Sequence, residues 1–393
     1  MTDDDDTFEF GIFDSFDLGD STPGEVIDDR LTFAQLAEAH GFGHYHVTEH
    51  HGTPLSVCPS PNLFLAALAQ RTTRMRIGAL VHVLPAYHPL RLAEEIAILD
   101  QMTHGRLDVG VGSGVSPYEL AYFGVDAAKA KDIYRETLGV LTTALATGRM
   151  THQGTLLPDI DAELSVRPVQ QPHPPLWYAS SNTATAEWAG ANNVSFVGRW
   201  NSGGFTEAAE AYWRSYDARA EQPRDGATSR PRLGVAARVY IGETDDAALE
   251  RFRKANDVLG RHLTKLWHDH DDYSNDALFQ TDTMLARGNA LVGSAATVRD
   301  RLIELVQAAP VNYFEATLAF GDLTLEESLA NQAAFAGLVM PAVRDAVGSL
   351  SRTDPFLRLT RTGATSFRKQ AFATIFMAFR GGGRRWQGSP RRS

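Results

Sequence analysis

The sequence contains a single cysteine, Cys58, in 393 residues. It therefore forms no intramolecular disulfide bond and no cysteine-cluster metal site. Long hydrophobic runs are also missing, since no stretch approaches the roughly 18 uncharged apolar residues of a membrane-spanning helix. The acidic start, Asp3 to Asp6, is the reverse of the basic n-region of a secretory signal peptide. We therefore expect a soluble, cytoplasmic protein that does not bind a membrane.

An excess of positive charge is absent from most of the chain. The formal net charge is −11, which argues against a nucleic-acid binder because such proteins present a basic face. Residues 351–393 carry ten Lys or Arg and one acid, Asp354, a net of +9, so residues 1–350 carry −20. We expect one domain over residues 1–350 and a basic C-terminal extension over 351–393, which can be disordered.

Short apolar runs alternate with longer helical patterns, which is typical of βα units around a parallel sheet. The runs predict strands at residues 8–13, 43–48, 76–82, 106–111, 176–180, 194–197, 232–241 and 312–319. Helical patterns lie at residues 26–40, 62–71, 89–102, 132–147, 183–190, 207–220, 296–308 and 325–347. Eight strands with following helices favour an α/β fold, the (β/α)8 TIM barrel. An open doubly wound sheet is the alternative, but it usually needs a glycine-rich first turn, and residues 14–17 read Asp-Ser-Phe-Asp.

Two intervals are longer than a tight barrel needs. Residues 148–175 are rich in proline and polar residues, and residues 268–293 begin with five consecutive His and Asp residues. Loops of this length are usually functional lids or disordered segments. We therefore expect a barrel with insertions at these two places.

Histidines and a glutamate cluster at the end of the second predicted strand. His44 and His46 share one face of that strand, and Glu49 and His50 follow at its C-terminal end, where barrel enzymes keep their chemistry. Imidazole suits proton transfer or hydrogen bonding to a developing anion. A His-x-His pair with a carboxylate could instead hold a divalent cation, but the later strand ends offer no further histidine. Purely structural histidines are the third interpretation.

Small polar residues follow the fifth predicted strand, where residues 180–185 read Ser-Ser-Asn-Thr-Ala-Thr. Such residues cap a helix, and the free N–H groups of a helix N-terminus also bind phosphate. Capping needs only one of these polar residues, so we favour phosphate binding over capping alone. The Gly-x-Gly-x-Gly turn at residues 110–114 permits close approach of a ligand but equally a plain tight turn.

Together these segments resemble the luciferase-like flavin monooxygenases, a family that includes the bacterial luciferase subunits. The resemblance extends from about Phe8 to Val347. Its strongest segments are 48–52 (Thr-Glu-His-His-Gly), 83–95, 99–106 and 110–114, and shorter ones are 123–126, 171–175 and 339–341. Each segment alone is a weak signal, but the ordered set is specific.

The resemblance implies a barrel that binds reduced FMN at its C-terminal face. His50 matches the active-site histidine of the family, which is thought to transfer protons and to steady the C4a-hydroperoxyflavin. The Leu80–Val81 bond aligns with a non-proline cis peptide at the end of the third strand. The residues implied to bind the cofactor are Glu49, Leu80, Val81, Ser113, Lys131, Ser181, Asn182 and Thr185.

The implied activity is that of a two-component monooxygenase. A separate flavin reductase supplies reduced FMN, which reacts with O2, and one oxygen atom is inserted into a small organic substrate. The absence of an NAD(P)-binding fingerprint fits a separate reductase. Two alternatives stay open: an oxidoreductase that uses F420 for hydride transfer, and a non-catalytic flavin-binding partner subunit. Family members commonly pair through barrel helices, so a homodimer is expected.

The chain also departs from the luciferase α subunit. Ser113 stands where that subunit has an arginine that contacts the flavin phosphate, and Lys131 replaces a second such arginine. Lysine keeps the charge but loses the bidentate fork. Gly112 stands where that subunit has its reactive cysteine. We therefore expect a lower flavin affinity or a different bound cofactor.

Overall fold

Parallel strands with helices between them close into a barrel in the computed structural model, which describes residues 7–200, 205–220 and 230–353. The strands are β1 (Glu9–Asp14), β2 (His44–Val47), β3 (Arg76–Val83), β4 (Leu107–Gly112), β5 (Arg149–His152), β6 (Ile160–Glu163), β7 (Leu176–Ala179), β8 (Ser195–Arg199), β9 (Leu233–Ile241), β10 (Ala290–Gly293) and β11 (Tyr313–Thr317). Around the barrel the order is β1, β2, β3, β4, β7, β8, β9 and β11, and β11 pairs with β1. The predicted (β/α)8 fold is confirmed.

The helices begin with recognisable signals. They are α1 (Pro23–Ala39), α2 (Pro61–Ala69), α3 (Pro89–Met102), α4 (Pro117–Tyr122), α5 (Ala130–Thr147), α6 (Thr183–Ala191), α7 (Phe205–Ala220), α8 (Asp245–His268), α9 (Asp276–Phe279), α10 (Thr281–Ala286), α11 (Ala295–Ala308), α12 (Leu325–Ala334) and α13 (Met340–Thr353). The first four carry proline in the first turn, where its missing N–H costs nothing. Thr22 and Glu25 add a capping box to α1.

Two helical segments differ from the sequence prediction. The long helix α8 is absent from the predicted elements, although it buries Phe252, Ala255 and Leu259 at helical spacing. The helix predicted over residues 325–347 is divided into α12 and α13 by a π-helical segment, Phe335–Val339. Both helices still pack on the barrel, so the layer order is unaffected.

The two insertions contain regular structure. Residues 148–175 include the antiparallel hairpin of β5 and β6. Residues 268–293 include the short helices α9 and α10 and the strand β10, which extends the sheet by pairing with the C-terminal half of β9. The sequence patterns of these short elements were too brief to predict them.

The predicted basic extension, residues 351–393, lies outside the described residues from position 354 onward. The boundary that we expect at residue 350 therefore stays a prediction. Among the helices that the structure describes, none is long and apolar enough to cross a membrane.

A buried ionic network fills the barrel interior toward the N-terminal ends of the strands. One oxygen of Asp108 accepts hydrogen bonds from His44 (2.8 Å) and His46 (3.3 Å), and the other accepts from Arg76 (2.7 Å). His46 donates its second N–H to Glu315 (2.6 Å). Each carboxylate of this network thereby contacts a basic side chain, which lowers the cost of burying its charge. We call these residues, with Glu9, the barrel floor.

The floor holds an extra proton near neutral pH. Burial disfavours a charged imidazole, but Glu315 and Asp108 outweigh it and raise the pKa of His46 from 6.5 to about 9. Both ring nitrogens of His46 face carboxylates, which is consistent with the protonated form. Because the unfolded chain releases this proton at lower pH, the group stabilises the fold below pH 6.5, and this contribution is lost as the pH rises through 9.

We therefore expect the free energy of unfolding to fall between pH 6.5 and about 9, with a contribution from His46 of up to about 1.4 kcal/mol per pH unit. His46→Gln should lose most of this slope, as measured by urea unfolding across that range. The exposed His88 provides the control, and His88→Gln should keep the slope of the wild type. Equal slopes in His46→Gln and wild type would contradict this assignment.

Candidate active site

The loop after β2 is fixed by the buried carboxylate of Glu49, which is 4% exposed. It accepts hydrogen bonds from the backbone N–H of Val83 (3.1 Å), the hydroxyl of Tyr87 (2.9 Å) and the Nε2 of His51 (3.0 Å). Burial and the neighbouring Glu49 raise the pKa of Tyr87, so its hydroxyl stays protonated and donates. These contacts join the C-terminal ends of β2 and β3 into one wall of the barrel mouth.

The end of β3 presents backbone and small side chains to the barrel mouth. The Leu80–Val81 peptide is cis, as predicted. A Cβ atom on Gly112 would lie 2.5 Å from the Cγ2 of Val81, so a larger residue there would require the Val81 side chain to shift. On the loop after β2, the strand beside β3, the buried hydroxyl of Thr48 has no hydrogen-bond partner among the described residues. An unsatisfied buried hydroxyl at this position favours a bound polar group.

His50 is oriented by a glutamate from a different element. Its Nδ1 lies 3.1 Å from one oxygen of Glu119, and the other oxygen of Glu119 accepts the backbone N–H of His51 (2.9 Å). Glu119 lies in α4, where its own N–H is capped by Ser116. With Nδ1 directed at Glu119, the Nε2 of His50 has no partner in the part of the chain that the structure describes. Nε2 is therefore the atom available to accept or donate a proton.

A cavity of about 1030 Å³ brings together three of the predicted phosphate contacts, Ser113, Lys131 and Thr185. It runs between α5 and α6 and extends as far as Arg76 near the N-terminal ends of the strands. The buried hydroxyl of Tyr134, which also lines it, has no partner among the described residues. The described residues that line this cavity do not include His50, Glu49, Ser181 or Asn182.

The polar run after β7 caps a helix and joins two strands. The side-chain oxygen of Asn182 accepts the N–H of Thr185 (3.1 Å) at the N-terminus of α6. The hydroxyl of Ser181 accepts the N–H of Arg199 at the end of β8 (3.0 Å). Asn182 is therefore the N-cap residue of α6, as the capping interpretation predicts. A role of these residues in binding phosphate stays a prediction.

Comparison with protein families finds a match over most of the chain. A model of the luciferase-like monooxygenases matches residues 8–312. The chain belongs to the luciferase-like monooxygenase family. The uncharacterized protein y4wF of Sinorhizobium fredii is 35% identical over 329 residues, which cover 81% of this chain and 93% of that protein. The oxygenase component of the flavin-dependent trigonelline monooxygenase of Acinetobacter baylyi is 26% identical over 296 residues, covering 72% and 80%.

Solved structures share the fold of this luciferase-like monooxygenase. The oxygenating constituent of 3,6-diketocamphane monooxygenase from Pseudomonas putida, in complex with FMN, has a TM-score of 0.68 at 21% identity and covers 85% of this chain and 98% of its own. The F420-dependent tetrahydromethanopterin reductase of Methanopyrus kandleri has a TM-score of 0.61 at 18% identity, covering 85% and 98%. At these identities the likeness concerns the fold alone.

Sequence reasoning missed Glu119 and Tyr87 as residues of this site. Glu119 is 69 residues from His50 in the chain, so no local pattern connects the two. A signal was present, because Ser116-Pro117 before an acidic residue is a helix start directly after the 110–114 turn. The turn lies at the end of β4, which pairs with β3, and Glu119 in α4 reaches His50 and His51 of the loop after β2.

The barrel floor also bears on the metal interpretation. Ligand atoms of His44, His46 and Asp108 lie within 4.8 Å of one another. However, both ring nitrogens of each histidine already lie within hydrogen-bond distance of carboxylates, and Arg76 occupies the remaining oxygen of Asp108. Metal binding requires neutral imidazoles, whereas the pKa of His46 is raised to about 9. The geometry of this cluster favours a salt-bridge network.

We expect Tyr87→Phe to destabilise the fold by about 1–3 kcal/mol, because it leaves the buried carboxylate of Glu49 one donor short. Urea unfolding at pH 7 measures this change. The matched control is Tyr273→Phe, since Tyr273 is 59% exposed, and it should change stability by less than about 0.5 kcal/mol. Equal stabilities of Tyr87→Phe and wild type would show that the carboxylate does not depend on this hydrogen bond.

Proposed function

We propose that this protein is a flavin-dependent monooxygenase that receives reduced FMN from a separate reductase and inserts one oxygen atom of O2 into a small organic substrate. The observation that carries the proposal is the position of His50 at the C-terminal end of β2, with Nδ1 held by Glu119 and Nε2 available. The family and the relative named as an oxygenase component support it.

FMN would be held by described residues at two places. Ser113, Lys131 and Thr185 line one cavity and would hold the phosphate, together with Ser181 and Asn182 on the adjoining loop. Lys131 supplies the positive charge, and hydroxyl groups supply donors, which is the chemistry that a phosphate monoester requires.

The ring system would lie at the barrel mouth, beside Glu49 and the Leu80–Val81 segment. Gly112 leaves room there, and the unsatisfied hydroxyl of Thr48 offers a hydrogen bond. Bound reduced FMN supplies the electrons and the activated oxygen for such a reaction. The chain itself positions the ring and provides one titratable imidazole next to it.

His50 is the proposed catalytic residue, and Glu119 is a positioning residue that acts through it. The hydrogen bond to Glu119 fixes the ring orientation, so that Nε2 can move a proton to or from the reacting group. The second oxygen of Glu119 holds the backbone N–H of His51, which keeps the loop in place while the proton moves. Catalysis then depends on which ring nitrogen of His50 carries the proton.

Hydride transfer with F420 is the second candidate, since an F420-dependent reductase shares the fold and Ser113 stands where an arginine is found in the luciferase α subunit. A non-catalytic partner subunit is the third. Anaerobic titration of the protein with reduced FMN and with reduced F420, monitored by the absorbance of each cofactor, shows which cofactor binds and so separates the first two candidates. Detectable turnover by the isolated chain would exclude the third.

We expect Lys131→Met to weaken binding of reduced FMN by about 10- to 100-fold, because a charge-assisted hydrogen bond is lost. Binding of reduced riboflavin, which has no phosphate, should not change. Anaerobic titration of both flavins against both proteins gives this comparison. Lys254→Met is the control, since Lys254 is exposed on α8 and pairs with Glu250. An equal loss for both flavins would contradict a phosphate contact at Lys131.

We expect His50→Ala to slow formation of oxygenated product from reduced FMN and O2 by about 100-fold or more, with the affinity for reduced FMN little changed. Single-turnover product analysis measures this rate. His88→Ala serves as the control because His88 is exposed. If His50→Ala forms product as fast as wild type, the role assigned to His50 is wrong.

A further inference from the structure

Two arginines on neighbouring strands face the barrel interior at its C-terminal end. Arg199 is the last residue of β8 and pairs in register with Ala236 of β9, and Arg238 follows two residues later. Ala236 and Val197 pack inside the barrel in one cluster with Trp177. Because side chains alternate along a strand, Arg199 and Arg238 project to the same inner side, above that cluster.

Neither guanidinium group contacts a carboxylate among the described residues. Arg238 is 8% exposed and donates from Nη1 to the neutral Asn256 (2.6 Å) and to the sulfur of Met284 (2.8 Å). Arg199 makes only backbone contacts in that part of the chain, through Ser181. By contrast, Arg30, Arg76 and Arg232 each contact a carboxylate.

The electrostatics of the pair leave a positive charge unbalanced. Burial and the charge of Arg199 lower the pKa of Arg238 to about 9, so it stays protonated near neutral pH. Asp17 is the acid that acts on Arg238, but its own oxygens accept from His262 (2.7 Å) and from the N–H of Gly321 (3.0 Å). A buried cation without a partner is costly, and an arriving anion removes that cost.

Arg199 is exposed to solvent, so an anion that arrives from outside can reach it. Arg199 and Arg238 are not among the described residues lining the cavity of Ser113, Lys131 and Thr185. Arg199 borders the loop of the proposed phosphate site, because its backbone N–H donates to the hydroxyl of Ser181.

We propose that Arg199 and Arg238 form a subsite for an anionic group, a carboxylate or another oxyanion, carried by the organic substrate. This inference rests on the proposed function, because it names the substrate class of the same barrel mouth. Two guanidinium groups on one inner face can donate several N–H hydrogen bonds to the oxygens of such an anion. The substrate then binds with its charged end toward β8 and β9, while Glu49 and His50 lie at the end of β2.

Sulfate is a suitable probe, with the thermal unfolding of the flavin-free full chain as the readout. Between 1 and about 10 mM sulfate, with chloride holding the ionic strength constant, general salting-out effects are small. A site that saturates in this range stabilises the protein by mass action, so we expect the melting temperature of the wild type to rise by roughly 3 °C or more.

Arg199→Met and Arg238→Met should each lose most of this rise. Arg301→Met removes the same charge from an exposed position, 65% accessible on α11, and should keep the rise. Without sulfate, Arg238→Met should melt no lower than wild type, since it removes a buried unpaired charge. The same sulfate-dependent rise in Arg238→Met and wild type would overturn the proposal.

A cofactor phosphate is the other possible source of the anion. If Arg238→Met weakens the binding of reduced FMN but not that of reduced riboflavin, the bound anion is the cofactor phosphate, and the substrate subsite is refuted. If it leaves both flavins unaffected while sulfate stabilisation is lost, the subsite is supported. Failure of the wild type to bind any reduced flavin would count against the proposed function alone, since the sulfate measurement needs no flavin.

Discussion

The arrangement of the candidate site depends on the burial of one carboxylate, that of Glu49. Removed from water, it must be satisfied by hydrogen bonds, and its three donors come from β3, from the turn before α3 and from its own loop. These three hydrogen bonds therefore hold the loop after β2 in one backbone conformation. The imidazole of His50 is consequently held by Glu119 in a fixed orientation.

The barrel interior has a floor whose carboxylates contact basic side chains and a mouth that also holds two arginines without carboxylate partners in the described part of the chain. On the floor, Asp108 and Glu315 hold the two histidines and Arg76 in place without a ligand. At the mouth, Arg199 and Arg238 lack carboxylates among the described residues, and Thr48 lacks a hydrogen-bond partner. Stability is concentrated in the first region and binding capacity in the second, a common division in barrels of this type.

The sequence predicted what depends on local patterns. The eight barrel strands follow from short apolar runs, and the position of His50 after β2 follows because it lies directly after such a run. The contact of His46 with Glu315 spans 269 residues and that of His50 with Glu119 spans 69, so only the closed barrel brings these groups together. Arg238 looked like an ordinary strand residue, because its inward direction depends on the register between β8 and β9.

We propose that this barrel mouth holds reduced FMN beside His50 and controls its reaction with O2. The most direct test is to bind reduced FMN to the protein without oxygen and then add a pulse of O2 while recording absorbance. We predict a long-lived band that belongs to neither reduced nor oxidised FMN. Direct oxidation to FMN at the rate of the free flavin would contradict the claim.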